Sequence, residues 1–262
     1  MSKYLQVFKI AWQRNFEYRA YFFGHMILGL INIVVPVLIF HYAFTNGARF
    51  GNYTFSGLFT YLVMTKFMHF ASRGNIRRKI ASEIKDGSFS NYFLKPISYK
   101  RYWFAYMLAD RLFEIVVQVI ILLIVLLLFP QFINLQAGNL PLFLIFIPIA
   151  LLFNFFYSLL IASIAFYITD INLITTALGI VTGLFAGELI PIDILPPILN
   201  HISNWLPFRF TAYFPIMVYQ GKVSLQEYLI SCFSLAVWIL LFALFSHFAW
   251  KKGVKRYEAI GR

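Results

Sequence analysis

Residues 73–101 read RGNIRRKIASEIKDGSFSNYFLKPISYKR, and this connector decides the fold class because of what surrounds it. It carries eight Lys and Arg residues against two acids, Glu83 and Asp86. An apolar run from Phe55 to Ser72 precedes it, and another from Trp103 to Phe129 follows it. Basic loops between apolar spans are typical of the cytoplasmic side of polytopic membrane proteins.

The remaining basic residues follow the same pattern. Of 22 Lys and Arg residues, 17 fall in the connector, in an N-terminal arm (1–19) or in a C-terminal tail (251–262). The composition is 61% hydrophobic and 12% charged, and the mean hydropathy of +0.75 excludes a soluble domain. The basic residues lie at the ends of apolar spans, so anionic lipid headgroups are their expected partners, rather than nucleic acid.

Six stretches are long and apolar enough to cross a membrane. They run approximately over residues 20–44, 55–72, 103–129, 140–168, 173–189 and 228–250. An even number of crossings places both termini on one side, as two basic termini require. The sequence thus predicts an all-α integral membrane protein with six transmembrane helices, one domain over residues 1–262, and both termini in the cytoplasm.

Two basic segments also have helical periodicity. In the arm (1–19), apolar Leu5, Phe8, Trp12 and Phe16 recur among polar residues, which predicts an amphipathic helix along the inner membrane surface. In the connector (73–101), Ile76, Ile80 and Ile84 lie at helical spacing, and Gly87 suits a helix stop. This second helix either docks into a groove on an ATPase or is a solvated loop that binds headgroups.

Residues 187–215 are too apolar for an ordinary exposed loop and too rich in proline for one helix. They predict a re-entrant hairpin that dips from the outer face and gates the path across the membrane. Its acids, Glu188 and Asp193, cap short helices, pair with Arg209 or hold a cationic substrate. The predicted gate residues are Glu188, Pro191, Asp193, Pro196, Pro197 and Pro207.

Two further sets of residues stand out inside the predicted spans. Glycines recur every four residues at Gly179, Gly183 and Gly187, which permits close approach of another helix or subunit. Charged residues occur in the second and third spans, where Lys66 and Asp110 reach similar depth and are predicted to pair. The predicted intramembrane ion pairs involve Lys66, Asp110, Arg111 and Glu114.

The chain carries no recognisable catalytic or ATP-binding motif. Gly221 and Lys222 are similar to the end of a phosphate-loop motif. However, Ile216 stands where the motif has its first glycine, and Val223 stands where it has Ser or Thr. The five histidines lack metal-ligand spacing, which disfavours a membrane-embedded enzyme. The energy for transport must come from another chain, or the process is passive, as in a channel.

Three stretches resemble one family. Residues 82–98, SEIKDGSFSNYFLKPIS, look like the coupling segment of type-2 ABC exporter permeases. Residues 187–224, GELIPIDILPPILNHISNWLPFRFTAYFPIMVYQGKVS, and the ending WKKGVKRYEAIGR are similar to separately encoded permeases related to viologen and antibiotic exporters. Ser88-Phe89 departs from the Thr-Leu of many relatives.

The resemblance implies a permease without an ATPase of its own and without a cofactor. ATP and Mg would be bound by two partner subunits, and a second permease copy or a homologous sister would complete the translocation path in a bacterial cell (inner) membrane. An importer permease and a passive channel are the alternatives. By the resemblance and the helical pattern together, the predicted coupling residues are Arg77, Ile80, Glu83, Ile84, Asp86, Gly87 and Pro96.

Overall fold

The computed structural model describes residues 3–17, 19–134, 136–168 and 170–257. Ten α-helices and several short 3₁₀ turns make up this part of the chain, and it contains no strand. The helices are α1 (Lys3–Glu17), α2 (Arg19–Thr45), α3 (Phe55–Ser72), α4 (Ile76–Lys85), α5 (Tyr99–Leu128), α6 (Leu140–Ala162), α7 (Asn172–Phe185), α8 (Pro197–Trp205), α9 (Tyr213–Tyr219) and α10 (Leu225–Arg256). The predicted all-α fold is confirmed.

Four helical segments are long and apolar enough to cross a membrane by length and composition. They are Phe23–Thr45, Tyr99–Leu128, Leu140–Phe166 and Leu225–Arg256. They correspond to the first, third, fourth and sixth predicted spans. The second predicted span forms the continuous helix α3, whose apolar sequence is interrupted by Lys66 and His69. The fifth predicted span forms α7, which has only 14 residues.

Helix α3 lies at the centre of the bundle, which explains how it can be less apolar than its neighbours. It packs against α2, α5, α6 and α9, and twelve of its 18 residues are buried. A helix covered by protein on most sides can carry polar groups, because neighbouring helices rather than lipid satisfy them. In contrast, few side chains of α2 and α10 are buried, as expected of helices that face lipid.

The N-terminal arm forms the predicted helix, α1, and packs along α5. The rings of Trp12 and Phe16 contact the ring of Phe113, with centroids 6.5 Å and 5.1 Å apart. Arg14 donates a hydrogen bond to the hydroxyl of Tyr106 and lies over its ring. The arm is therefore fixed to the bundle by aromatic and cationic contacts, in addition to any contact with lipid.

The connector helix also follows its pattern. Ile76, Ile80 and Ile84 of α4 are buried, α4 packs against α6 and the turn that follows it (Ser163–Phe166), and α4 ends just before Gly87. Gly87 has φ +82°, a left-handed conformation that side chains other than glycine rarely adopt. The amphipathic helix and its glycine stop are confirmed, and the apolar face of α4 is directed towards the bundle.

Both ends of the described chain meet this connector. The Nζ atom of Lys3 donates to the carbonyl oxygen of Pro96 at 3.2 Å. The hydroxyl of Tyr257 donates to the carbonyl oxygen of Gly87 at 3.0 Å. The N-terminal arm, the connector and the end of α10 thus form one layer at the α4 end of the bundle. The last five residues of the predicted tail, 258–262, lie outside the described residues.

Residues 186–220 follow an out-and-back course beside α3. The chain leaves the end of α7 and brings the carboxylate of Asp193 to the Tyr53 hydroxyl, which lies before α3, at 3.1 Å. It then returns, and the backbone N–H of Tyr213 donates to the carbonyl oxygen of Ala186 at 2.9 Å. Finally, α9 leads back to the start of α3. The chain therefore passes the end of α7 twice.

We expect Gly253→Leu in α10 to destabilise the protein by about 1–3 kcal/mol, the usual cost of overpacking. A Cβ atom at position 253 would lie 2.2 Å from Cδ2 of the Phe166 ring, which is itself enclosed by aromatic neighbours. Thermal unfolding of the purified protein in detergent measures the effect. The control is Gly24→Ala, because a Cβ atom there meets nothing within 4 Å. Equal melting temperatures for the two variants would contradict the packing of α10 on Phe166.

Candidate functional site

A polar cavity with a volume of about 630 Å³ lies at the α4 end of the bundle. Helices α3, α4, α5, α6 and α7 surround it, and we call it the α3–α7 cavity. The charged and imidazole side chains that line it are His25, His69, Arg73, Arg77, Lys79, Asp110, Arg111, Glu114 and Glu188. Such a concentration of charge within a membrane-protein bundle is typical of a functional site.

Glu188 is at the centre of the strongest ionic cluster. One carboxylate oxygen, Oε2, lies 2.9 Å from Nδ1 of His69 and 3.0 Å from Nη1 of Arg73. The charge of Lys66 also acts on this carboxylate, and Glu188 is only 7% exposed. A buried carboxylate is stable when cations and hydrogen bonds compensate for its lost hydration, and here two side chains of α3 do so.

Gly179 and Gly183 of α7 lie beside this cluster. A Cβ atom at Gly183 would lie 3.5 Å from the Glu188 carboxylate, and one at Gly179 would lie 3.5 Å from Nη2 of Arg77. Gly187 has φ +74°, and its carbonyl oxygen accepts a 2.5 Å hydrogen bond from Tyr61. The glycine ridge thus lies against charged and hydroxyl-bearing side chains of α3 and α4.

Arg111 of α5 caps the end of α3. Its Nη1 atom donates to the carbonyl oxygens of Phe70, at 2.7 Å, and Arg73, at 2.5 Å. Its Nη2 atom donates to Asp110 at 2.5 Å. The last carbonyls of a helix have no partner within that helix, so a buried guanidinium is a suitable donor for them. Arg111 therefore joins α5 to the turn between α3 and α4.

The predicted pair between Lys66 and Asp110 is wrong. Asp110 accepts from Arg111, and Glu114 lies 2.8 Å from Nδ1 of His25 on α2. The charge of Lys66 acts on Glu188 instead. Equal depth on two helices therefore did not determine the ionic partner.

Two cations of α4 differ from the others in the cavity. Arg77 donates from Nη2 to the carbonyl oxygen of Thr175 at 3.4 Å, and Lys79 donates to the Tyr106 hydroxyl at 2.5 Å. These partners are neutral, and within the described ranges neither cation has a carboxylate within 4 Å. The α4 side of the cavity therefore has an excess of positive charge.

The structure divides the predicted coupling residues into buried residues of α4 and exposed residues farther along the connector. Ile80 and Ile84 are buried and anchor α4 to the bundle, so a partner protein cannot reach them, and their predicted place on the contact surface is wrong. Glu83 faces the same way, because its carboxylate accepts hydrogen bonds from Tyr99 at 2.6 Å and Tyr92 at 3.1 Å. Burial raises the pKa of Glu83 above its ordinary value, against the effect of these hydrogen bonds.

The connector has an exposed apolar tip, which we define as residues 93–96. Phe93 is 62% exposed and Leu94 is 86% exposed, and Lys95 and Pro96 beside them are exposed as well. Asp86 is exposed nearby and caps the following turn through the hydroxyl of Ser88. Sequence reasoning missed Phe93 and Leu94, although an apolar pair inside a basic loop is the signal that could have indicated them.

The predicted gate residues do not form one group. Glu188 lies in the cavity with α3, whereas Asp193 accepts a hydrogen bond from Tyr53 before α3. Neither acid pairs with Arg209, which donates to Asn204 and lies over the rings of Phe210 and Tyr213. The four predicted gate prolines lie at the starts of successive short helical elements. Pro191 precedes the turn Ile192–Ile194, Pro196 precedes α8, Pro197 begins α8, and Pro207 begins the turn after it.

A family model described as "ABC-2 family transporter protein" matches residues 30–261, which is nearly the whole chain. No curated protein matches the chain. Among the described residues, no three His, Cys, Asp or Glu side chains are placed to hold a metal ion.

Proposed function

Because this chain belongs to the ABC-2 family of transporter proteins, we propose that it is the membrane-spanning permease subunit of an ATP-driven exporter. It forms half of the translocation path. A second copy or a homologous sister permease forms the other half, and separate subunits bind ATP and Mg. The observation that carries the proposal is the connector tip: exposed apolar residues on a segment whose helix is anchored in the core of the bundle.

The proposal includes six membrane crossings, made by α2, α3, α5, α6, α7 and α10. Helix α7 is too short to cross alone, since 14 residues rise only about 21 Å against a hydrocarbon thickness of about 30 Å. The re-entrant segment completes that crossing, and the hydrogen bond between Tyr213 and Ala186 supports its out-and-back course. The contacts of Lys3 and Tyr257 with the connector support placing both termini on the cytoplasmic side.

Coupling follows from the two faces of the connector. The buried isoleucines of α4 anchor it beside α6, while Phe93 and Leu94 are exposed. Burying two such side chains in a groove of an ATP-binding subunit would stabilise the complex by about 1.5–3 kcal/mol each. A movement of that subunit would reach α4 through the tip, and α7 through the contact of Arg77 with Thr175.

The proposal is tested by purifying the chain from its native membrane and identifying the proteins that accompany it. Mass spectrometry should find an ATP-binding subunit, and the complex should hydrolyse ATP in a vanadate-sensitive way. A further six-span protein in the complex would identify a sister permease. A stable complex without ATPase activity would contradict the proposal and favour a passive channel.

We expect Leu94→Asp to reduce the amount of co-purified ATP-binding subunit at least about tenfold, because a carboxylate replaces an apolar contact. The protein itself should fold normally, since Leu94 is 86% exposed. The control is Ile198→Asp in α8, which introduces the same charge at a side chain that is 75% exposed but distant from the connector. Equal retention of the subunit by the two variants would remove the tip from the coupling surface.

A further inference from the structure

We propose that the α3–α7 cavity binds the phosphate group of an amphipathic molecule, with Arg77 and Tyr157 as its principal contacts. This inference rests on the proposed function in one respect: it treats the bound molecule as the class of substrate that the permease moves. The binding itself requires only the side chains of this chain.

The charges in the cavity favour an anion. Every carboxylate there already has a cationic or imidazole partner: Asp110 has Arg111, Glu114 has His25, and Glu188 has Arg73 and His69. Arg77 and Lys79 have only neutral partners in the part of the chain that the structure describes. An anion would compensate these two charges, whereas a cation would be repelled by them.

Buried donors without partners point to the same position. Tyr157 lines the cavity and is only 6% exposed, and its hydroxyl, which lies near Thr182, makes no hydrogen bond of ordinary geometry among the described residues. The Nε atom of Arg77 is also buried and unpaired among the described residues, and Arg77 and Tyr157 both line this cavity. Unsatisfied buried donors cost free energy, so two of them beside one cavity indicate a missing acceptor.

A phosphate group suits these donors. Its oxygens accept hydrogen bonds from a guanidinium in the paired geometry that arginine prefers. They also carry the negative charge that would compensate Arg77 and Lys79. The Nε atom of Arg77 is available for such a pair because Nη2 is held only by the long contact with Thr175.

The walls of the cavity indicate that the phosphate belongs to an amphipathic molecule. Phe70, Ile180 and Leu189 line it beside the charged groups, and Ile180 of α7 and Leu189, which follows α7, are exposed. A volume of about 630 Å³ is within the range of sites that enclose small organic ligands. The cavity can hold a headgroup while an apolar part extends along α7.

The test measures binding without ATP to the purified full-length protein, together with any subunits that accompany it. Native mass spectrometry counts phosphatidylglycerol molecules retained after reconstitution in mixed phosphatidylglycerol and phosphatidylcholine bilayers. In detergent, the melting temperature is followed against inorganic phosphate. If the phosphate comes from a lipid, we expect selective retention of phosphatidylglycerol. If it comes from a soluble ester, we expect inorganic phosphate to raise the melting temperature without selective retention of phosphatidylglycerol.

Arg77→Gln should lower the affinity for the binding probe at least about tenfold, since it removes a charge-assisted hydrogen bond. Its matched control is Arg78→Gln, because Arg78 is the exposed neighbour on the same helix and contacts hydroxyls of α7. Tyr157→Phe provides the test if Arg77→Gln does not fold, and we expect it to weaken binding about fivefold.

The proposal is overturned if neither probe binds, or if Arg78→Gln weakens binding as much as Arg77→Gln. Because no ATP is present, this result is independent of the search for an ATP-binding subunit. Phosphate binding without ATPase activity would support the phosphate site and contradict the proposal of an ATP-driven exporter. ATPase activity without phosphate binding would retain the exporter and reject this class of substrate.

Discussion

Glu188→Gln is expected to destabilise the protein by about 3–5 kcal/mol, one of the two largest effects that the structure predicts. The substitution keeps the shape of the side chain but leaves Arg73 and His69 beside a neutral amide in a buried site. Folded protein should fall sharply in amount and melt at a lower temperature. Size-exclusion chromatography and thermal unfolding in detergent measure both.

The matched control is Asp170→Asn, which also converts an acid into its amide. Asp170 is exposed and caps the start of α7 through the backbone N–H of Asn172, a bond that asparagine can still accept. A second variant, Arg73→Gln with Glu188→Gln, should recover part of the loss, because both charges of the pair are then absent. If Glu188→Gln were as stable as Asp170→Asn, the ionic cluster would not hold α7 to α3.

Arg111→Met is expected to have an effect of similar size, about 3–5 kcal/mol. Methionine removes the donors for two carbonyl oxygens at the end of α3 and leaves the Asp110 carboxylate without its partner. Thermal unfolding again provides the measurement. Arg111→Lys should give an intermediate result, since one ammonium group keeps the charge but cannot reproduce the planar set of donors.

Arg101→Met on the same helix is the control, because Arg101 is exposed near the start of α5. Asp110→Asn combined with Arg111→Met should recover the part of the loss that comes from the uncompensated carboxylate. The cost of the uncapped carbonyls at the end of α3 would remain. Equal stability of Arg111→Met and Arg101→Met would exclude Arg111 as the link between α5 and α3.

Local features of the fold could be predicted from the sequence because their causes lie within a few residues. The spacing of Ile76, Ile80 and Ile84 determined the buried face of α4, and Gly87 determined its end. The end of α7 was predicted wrongly, because its cause lies in the turn that follows the helix. The apolar run continues to Leu189, but the left-handed turn at Gly187 allows the chain to leave the helix axis after Phe185.

The partners within the cavity could not be predicted, because they depend on how each helix is rotated about its axis. Glu188 was expected at the outer gate, but the shortness of α7 and the reach of Arg73 bring the two side chains together. The pairing of His25 with Glu114 likewise joins two helices whose hydropathy patterns are independent of each other. Charge indicated which residues mattered, but it could not indicate which residues would meet.

The ionic cluster around Glu188 also has a consequence for biosynthesis. A ribosome completes α3, with His69 and Arg73, 115 or more residues before it adds the carboxylate that holds them. During that interval the nascent chain has cations at the end of its central helix without their final partner. The insertion machinery or anionic headgroups must accommodate them. Chains truncated before residue 188 should therefore be degraded by membrane proteases faster than chains truncated after α9, although both lack α10.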